Sequence, residues 1–224
     1  MPETTFPTEI IDLPSKGYFY PEKSPLSSGQ VELKYMTAKD EDVLTSQNLI
    51  AKGVVLDVLL ASLIVDKKVK VDDLLIGDKN ALLIAARVLA YGKEYEFEVI
   101  SPVTGEPTTH NLDLTSLKDV SVDFSKMTKG QNSFEFTLPT TDRVIKYKLL
   151  TSGDVEAIEK HAKSLSKVSD IDRTLTTRLK HMILEVDGNS ERAFVNNFVD
   201  NEFFAVDSRS FREYISDNTP DIDL

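Results

Sequence analysis

Three histidines, His110, His161 and His181, are the only imidazoles in the chain, and cysteine is absent. Without thiols there is no disulfide, no thiolate metal site and no cysteine nucleophile. His110 alternates with Leu112 on a strand-like run, and the other two fall on separate helical stretches. None has a second histidine at the spacing of a zinc-protease helix. No serine sits in the glycine pattern of a nucleophile elbow. Two acidic runs invite a cation. Asp187-Gly188-Asn189-Ser190-Glu191 sets oxygens at alternate positions, but its glycine is second, where a calcium loop needs one sixth. A helix stop followed by a cap explains it better. Asp72-Asp73 and Asp78 flank Leu74-Leu75-Ile76, and Gly77-Asp78-Lys79 lacks the glycines that cradle phosphate. Acids there suit the positive start of a helix. The sequence therefore predicts no catalytic, cofactor or metal residues. It points to a protein that works by binding partners; an enzyme with an unrecognised site and a regulatory adaptor are the rivals.

Composition narrows the class of partner. The 224 residues are 41% apolar and 28% charged, an ordinary globular balance. The formal net charge is -11, and Lys67-Lys68-Val69-Lys70 runs straight into Asp72 and Asp73. No basic face is available to displace counterions from phosphate, so nucleic acid is not an expected partner. No apolar run reaches the roughly 20 residues of a membrane span, and the start lacks the basic and apolar regions of a signal peptide. The expectation is a soluble protein.

The elements that would position any site follow from periodicity. Residues 1–30 carry Pro2, Pro7, Pro14, Pro21 and Pro25 among Phe6, Ile10, Ile11, Leu13, Tyr18, Phe19 and Tyr20. Proline pre-extends the backbone, so this reads as an extended arm, lying on its own domain or reaching a neighbour. Residues 31–92 form a helical part. A strand with Val31, Leu33 and Tyr35 leads to Thr37, which caps a helix with Asp40 three positions on. Gly53 interrupts, and an apolar helix follows over Val54–Val65. A third runs from Lys79 to Tyr91, apolar nearly all round, and is expected to be buried on several sides. Its one interior charge, Arg87, should find an Asp or Glu partner. Residues 93–150 read as antiparallel β. Tyr95, Phe97 and Val99 alternate with Glu94, Glu96 and Glu98, one face wet. Ser101-Pro102-Val103-Thr104-Gly105-Glu106-Pro107 turns the chain, and His110, Leu112 and Leu114 return. Further strands are expected at Val120–Phe124, Phe134–Leu138 and Val144–Leu149. Residues 151–224 are read as helical: Val155, Ile158, Ala162 and Leu165; then a Ser169/Asp170 start with Leu175, Leu179, Met182, Ile183 and Val186; then Phe194, Val195, Phe198 and Val199; then Ser208–Ile215 and an acidic tail. The fold class is α+β, and the four stretches are compatible with one domain. Candidate partner-binding residues are Tyr18, Phe19 and Tyr20 on the arm, with Arg209, Phe211 and Arg212 on the last helix, since aromatic residues and arginine anchor interfaces.

The order of several motifs carries a resemblance. Leu13-Pro14-Ser15-Lys16-Gly17-Tyr18-Phe19-Tyr20-Pro21 precedes the Val31–Tyr35 strand, then Thr37-Ala38-Lys39-Asp40-Glu41-Asp42, Asp72-Asp73-Leu74-Leu75, Gly77-Asp78-Lys79-Asn80, Ala85-Ala86-Arg87 and Tyr91-Gly92. Together with Asp207-Ser208-Arg209-Ser210-Phe211-Arg212 and Pro220-Asp221-Ile222-Asp223, the succession resembles the baseplate hub protein family of T-even-like contractile-tailed bacteriophages. That family comprises small hub subunits and hub-assembly factors. The resemblance implies tail morphogenesis without catalysis or cofactor, and other tail or baseplate proteins as partners, a hub or tape-measure protein first among them. It implies residence in the host cytoplasm during assembly and in the tail baseplate of the virion for a subunit. A tail assembly chaperone absent from the mature virion is the alternative. Relatives often have a Cys-Pro-x-Cys-Gly knuckle where this chain has Ser101-Pro102-Val103-Thr104-Gly105. Serine and threonine do not replace thiolates as zinc ligands, so here the turn must hold by geometry and packing.

Overall fold

Residues 8 to 34 fold back on themselves. Strand β1 (Thr8–Asp12) pairs antiparallel with β2 (Gln30–Lys34), and the chain between them coils into tight turns. This computed structural model describes residues 7–102, 105–165 and 172–223. Pro2 and Phe6 of the expected arm, Val103-Thr104 of the turn and the helix start at Ser169-Asp170 lie outside them. Gly17 has φ +69°, and a Cβ there would come within 2.6 Å of the Ser27 carbonyl oxygen, so the turn requires glycine. These turns carry Leu13, Phe19, Tyr20 and Leu26 into the core. The arm therefore covers its own domain, because its aromatic and leucine side chains supply apolar surface that the core absorbs.

Helix α1 (Ala38–Leu44) starts in the expected capping box, Thr37 with Asp40. Burial works against ionisation of Asp40, but hydrogen bonds from the Thr37 backbone and hydroxyl, Ser62 and Lys34 outweigh it and hold its carboxyl well below the usual range. Helix α2 (Gln47–Lys52) ends at Gly53, and α3 (Val55–Leu63) buries Leu59, Leu60 and Leu63. Helix α4 (Ile76–Tyr91) begins three residues earlier than expected. Ala81, Leu82 and Ala86 are buried; Leu83, Ile84 and Arg87 are half-exposed beside the next hairpin. That hairpin is β3 (Glu94–Ile100) with β4 (Pro107–Asp113).

Strand β5 (Lys118–Asp119) replaces the strand expected at Val120–Phe124. Phe124 instead opens a 3-10 turn capped by Asp123. Strands β6 (Phe134–Thr137) and β7 (Val144–Tyr147) form the next hairpin. Helix α5 (Ser152–Leu165) leads to α6 (Thr174–Met182), where the expected helix through Val186 stops. Residues Ile183–Val186 are strand β8, the third in a β6-β7-β8 sheet. The register shifts between Lys146 and Tyr147, so Val186 faces Ile145 while Ile183 faces Tyr147. An extra residue on one strand places both side chains on one face, and their three-residue spacing therefore imitates a helix. Helices α7 (Arg192–Asn201) and α8 (Ala205–Asn218) follow, and the acidic tail is strand β9 (Ile222–Asp223), paired with β5.

One cluster of buried side chains draws on every stretch. It includes Leu13 and Phe19 from the N-terminal turns, Leu60 and Leu82 from the helices, Ile145 and Tyr147 from the sheet, and Phe198 and Phe211 from the last helices.

Candidate functional site

The start of α4 is where distant parts of the chain converge. Asp78, fully buried, accepts hydrogen bonds from the Ser15 amide (2.9 Å), the Ser15 hydroxyl (2.6 Å) and the Tyr20 hydroxyl (2.6 Å). The Tyr20 oxygen in turn accepts from the Leu75 amide at 2.8 Å. Burial pushes the Asp78 carboxyl up, against these hydrogen bonds, and burial beside Asp78 raises the Tyr20 phenol. Gly77, one residue earlier, lies against the C-terminal segment. A Cβ there would overlap the Pro220 carbonyl and stand 2.7 Å from the Asp221 Cα. Asn80 Nδ2 donates to Asp221 at 3.1 Å. The Leu13–Tyr20 and Gly77–Asn80 motifs are thus two halves of a buried lock. Every donor around Asp78 is spent within the fold, and its position offers no access to a substrate.

The six candidate contact residues divide. Phe19, Tyr20 and Phe211 are buried, and Tyr18 is half-buried with its hydroxyl on the Met127 carbonyl at 3.1 Å. These four serve the core, where Phe19 meets Phe124 and Phe134, and Phe211 meets Phe136 and Tyr147. Arg209 and Arg212 are exposed. Arg209 pairs with Glu213 on its own helix at 2.8 Å. Among the described residues Arg87 lacks the acid partner expected of it. Its guanidinium donates to the Gly92 carbonyl at 3.1 Å and lies 5.0 Å from the Tyr91 ring centre and 5.8 Å from that of Tyr95. Half-exposed at the end of its helix, it caps a carbonyl and covers aromatic faces.

The β3–β4 hairpin carries an exposed apolar face. Tyr95, Phe97 and Val99 are 43%, 38% and 45% exposed. They stand on one face with Leu112, His110 and Thr108 directly across. Tyr95 stacks on Phe97 (5.9 Å) and Phe97 on His110 (5.7 Å), a ladder running up the ribbon. Glu94, Glu96 and Glu98 occupy the other face. Alternation in the sequence marked this face as apolar and the glutamate face as wet; periodicity does not say what covers the apolar one. Among the described residues only its root packs on the protein, where Tyr95 shares a small cleft with Leu83, Ile84, Arg87 and Leu114. The ribbon has two strands, so each also presents an unpaired outer edge.

A second convergence escaped sequence reasoning because it joins two helices. His161 of α5 and His181 of α6 lie with ring centres 6.3 Å apart, in a cavity also lined by Lys148, Lys180 and Arg192. Two imidazoles fall short of a metal ligand set, and among the described residues no group of three or more metal-ligating side chains gathers. Lys148 pairs with Asp154 and Lys180 with Asp200. Burial lowers the His181 pKa below its ordinary 6.5, and His161, Arg192 and Lys148 lower it further against the opposing pull of Asp154. A histidine with a lowered folded pKa takes up its proton more readily in the unfolded chain, so stability should fall as pH drops below about 6.5. His181→Gln should reduce that fall. Thermal melts at pH 7.5 and 5.5 check it, and an unchanged pH difference in the variant would remove His181 as its cause.

No helix among the described residues is long and apolar enough to cross a membrane. Among curated proteins and solved structures, nothing matches the chain. A family model described as T4 bacteriophage base plate protein matches residues 15–202.

Proposed function

This chain belongs to the T4 bacteriophage base plate protein family, and on that premise we propose that it works by binding other tail proteins, as a hub subunit or hub-assembly factor, without catalysis. The observation that carries the reading is the β3–β4 ribbon, whose aromatic side chains form a continuous ladder on an exposed face. Contiguous exposed apolar surface marks an interaction site, and tyrosine and phenylalanine give large contact area at small entropic cost. With glutamates on the reverse face, the ribbon suits a partner groove that is apolar inside and basic at its rim. Its unpaired edges add the option of extending a partner sheet.

The test replaces Tyr95 and Phe97 together by serine in the phage gene. Phe97 stands in solvent and Tyr95 packs only at the ribbon's root, so the purified variant should keep a cooperative melt, lowered slightly. Complete tails counted by electron microscopy should fall about tenfold or more, the effect of losing roughly 1.4 kcal/mol or more of binding. A normal tail count with the variant protein would refute the ribbon as the contact. Mass spectrometry of purified tails then separates the two roles: a subunit is present in stoichiometric amount and an assembly factor is absent.

A further inference from the structure

Away from the ribbon, a cavity of about 340 Å³ opens between α6, α8 and the segment entering α4. Its lining includes Leu75, Leu150, Leu179 and Met182, all buried, with Ile76 and Ile215 half-exposed beside them. The volume lies at the small end of the roughly 300–1,000 Å³ typical of ligand pockets. Arg178 of α6 and Arg212 of α8, both exposed, belong to the same lining. Neither makes an ion pair with a carboxylate among the described residues. Arg178 makes no hydrogen bond or ion pair among the described residues, and Arg212 reaches only the Ser208 carbonyl of its own helix, at 3.3 Å. Arg143 and Arg209, by contrast, are paired with carboxylates. In a chain of net charge -11, two guanidinium groups without a carboxylate partner among the described residues, beside one apolar cavity, are a local reversal of sign. Asp221 also lines the cavity, but its carboxylate already accepts from Asn80 and from the Ile222 amide.

The arrangement calls for an apolar group with a carboxylate close beside it. Guanidinium groups bind carboxylates through paired, charge-assisted hydrogen bonds, while the floor accepts only apolar surface. At a chain's C-terminus the α-carboxylate is one carbon from its own side chain, which matches a cavity this small with cations beside it. We propose that this cavity captures the C-terminal residue of a partner protein, with its side chain inside and its carboxylate held by Arg178 and Arg212. The inference rests on the reading that the protein works by binding other chains, but it uses a different surface from the ribbon.

The test titrates the full chain into fluorescein-labelled Gly-Ser peptides ending in Leu, Ile, Phe or Met, each as free acid and as C-terminal amide. At least one free acid should saturate at micromolar protein, and its amide should bind about tenfold or more weakly, the loss of a charge-assisted contact. Arg178→Ala with Arg212→Ala should give the same weakening with an unchanged thermal melt, while the Tyr95/Phe97 variant should bind like the wild type. Acids and amides binding equally, or no peptide saturating, would overturn the proposal. Decanoate binding where no peptide does would overturn it in favour of a small apolar acid. Any of these failures leaves the ribbon reading untouched.

Discussion

Replacing Asp78 by alanine is expected to destabilise the protein by about 3–5 kcal/mol, because it leaves the Ser15 amide, the Ser15 hydroxyl and the Tyr20 hydroxyl buried without their acceptor. Each orphaned donor costs about 1–3 kcal/mol, and the raised carboxyl pKa, a sign of the desolvation that Asp78 bears, offsets part of the sum. Tyr20→Phe should cost about 1–3 kcal/mol, since it removes one donor to Asp78 and the acceptor of the Leu75 amide. The two substitutions share one network, so in a double-mutant cycle their effects should fall short of additive by about 1 kcal/mol or more. Urea unfolding of the four proteins measures this. A loss under about 1 kcal/mol for Asp78→Ala would mean that water replaces the carboxylate and that the lock holds nothing.

A chain beginning at Gln30 should fail to fold. The deletion removes Leu13, Phe19, Tyr20 and Leu26 from the core. At roughly 1.5–3 kcal/mol for each large apolar side chain buried, the loss is roughly 6–12 kcal/mol, as large as the whole net stability of an ordinary domain. It also removes β1 from β2 and the donors from Asp78. The expected result is a broad, non-cooperative melt and aggregation on standing. A sigmoidal melt from the shortened chain would restore the view of these residues as an accessory arm.

The prolines that made residues 1–30 look like an arm are real breakers of helix, but breaking a helix does not keep a segment out of a core. Which surface an irregular segment covers depends on complementarity with residues 50 to 120 positions away, and no local pattern encodes that. Local signals read well. Thr37 with Asp40 makes the expected capping box, and Gly53 ends its helix. Ile183 and Val186 misled because a bulge restores to one face what strict alternation would separate. Their helical spacing was therefore a product of sheet geometry. On the hairpin, alternation gave the apolar face correctly but not its exposure, since periodicity says which side chains share a face and nothing about what covers it. The two histidines and the paired arginines of the cavity come together only through helix packing, beyond the reach of any motif.

The double anchoring of the α4 start orders events in time. Ser15 and Tyr20 grip the helix from one side, while Pro220 and Asp221 close on Gly77 and Asn80 from the other. Asn80 and Asp221 are 141 positions apart, so at ordinary rates of synthesis the helix start waits on the order of 10 s for its second anchor to leave the ribosome. Through that interval the half-made chain carries the N-terminal anchor alone, and the side of α4 with Gly77 and Asn80 stays in reach of chaperones and of other nascent chains. Completion of the native state is therefore tied to synthesis of residues 220 and 221, and a ribosome stalled before residue 220 would hold a protein whose central helix is unsealed.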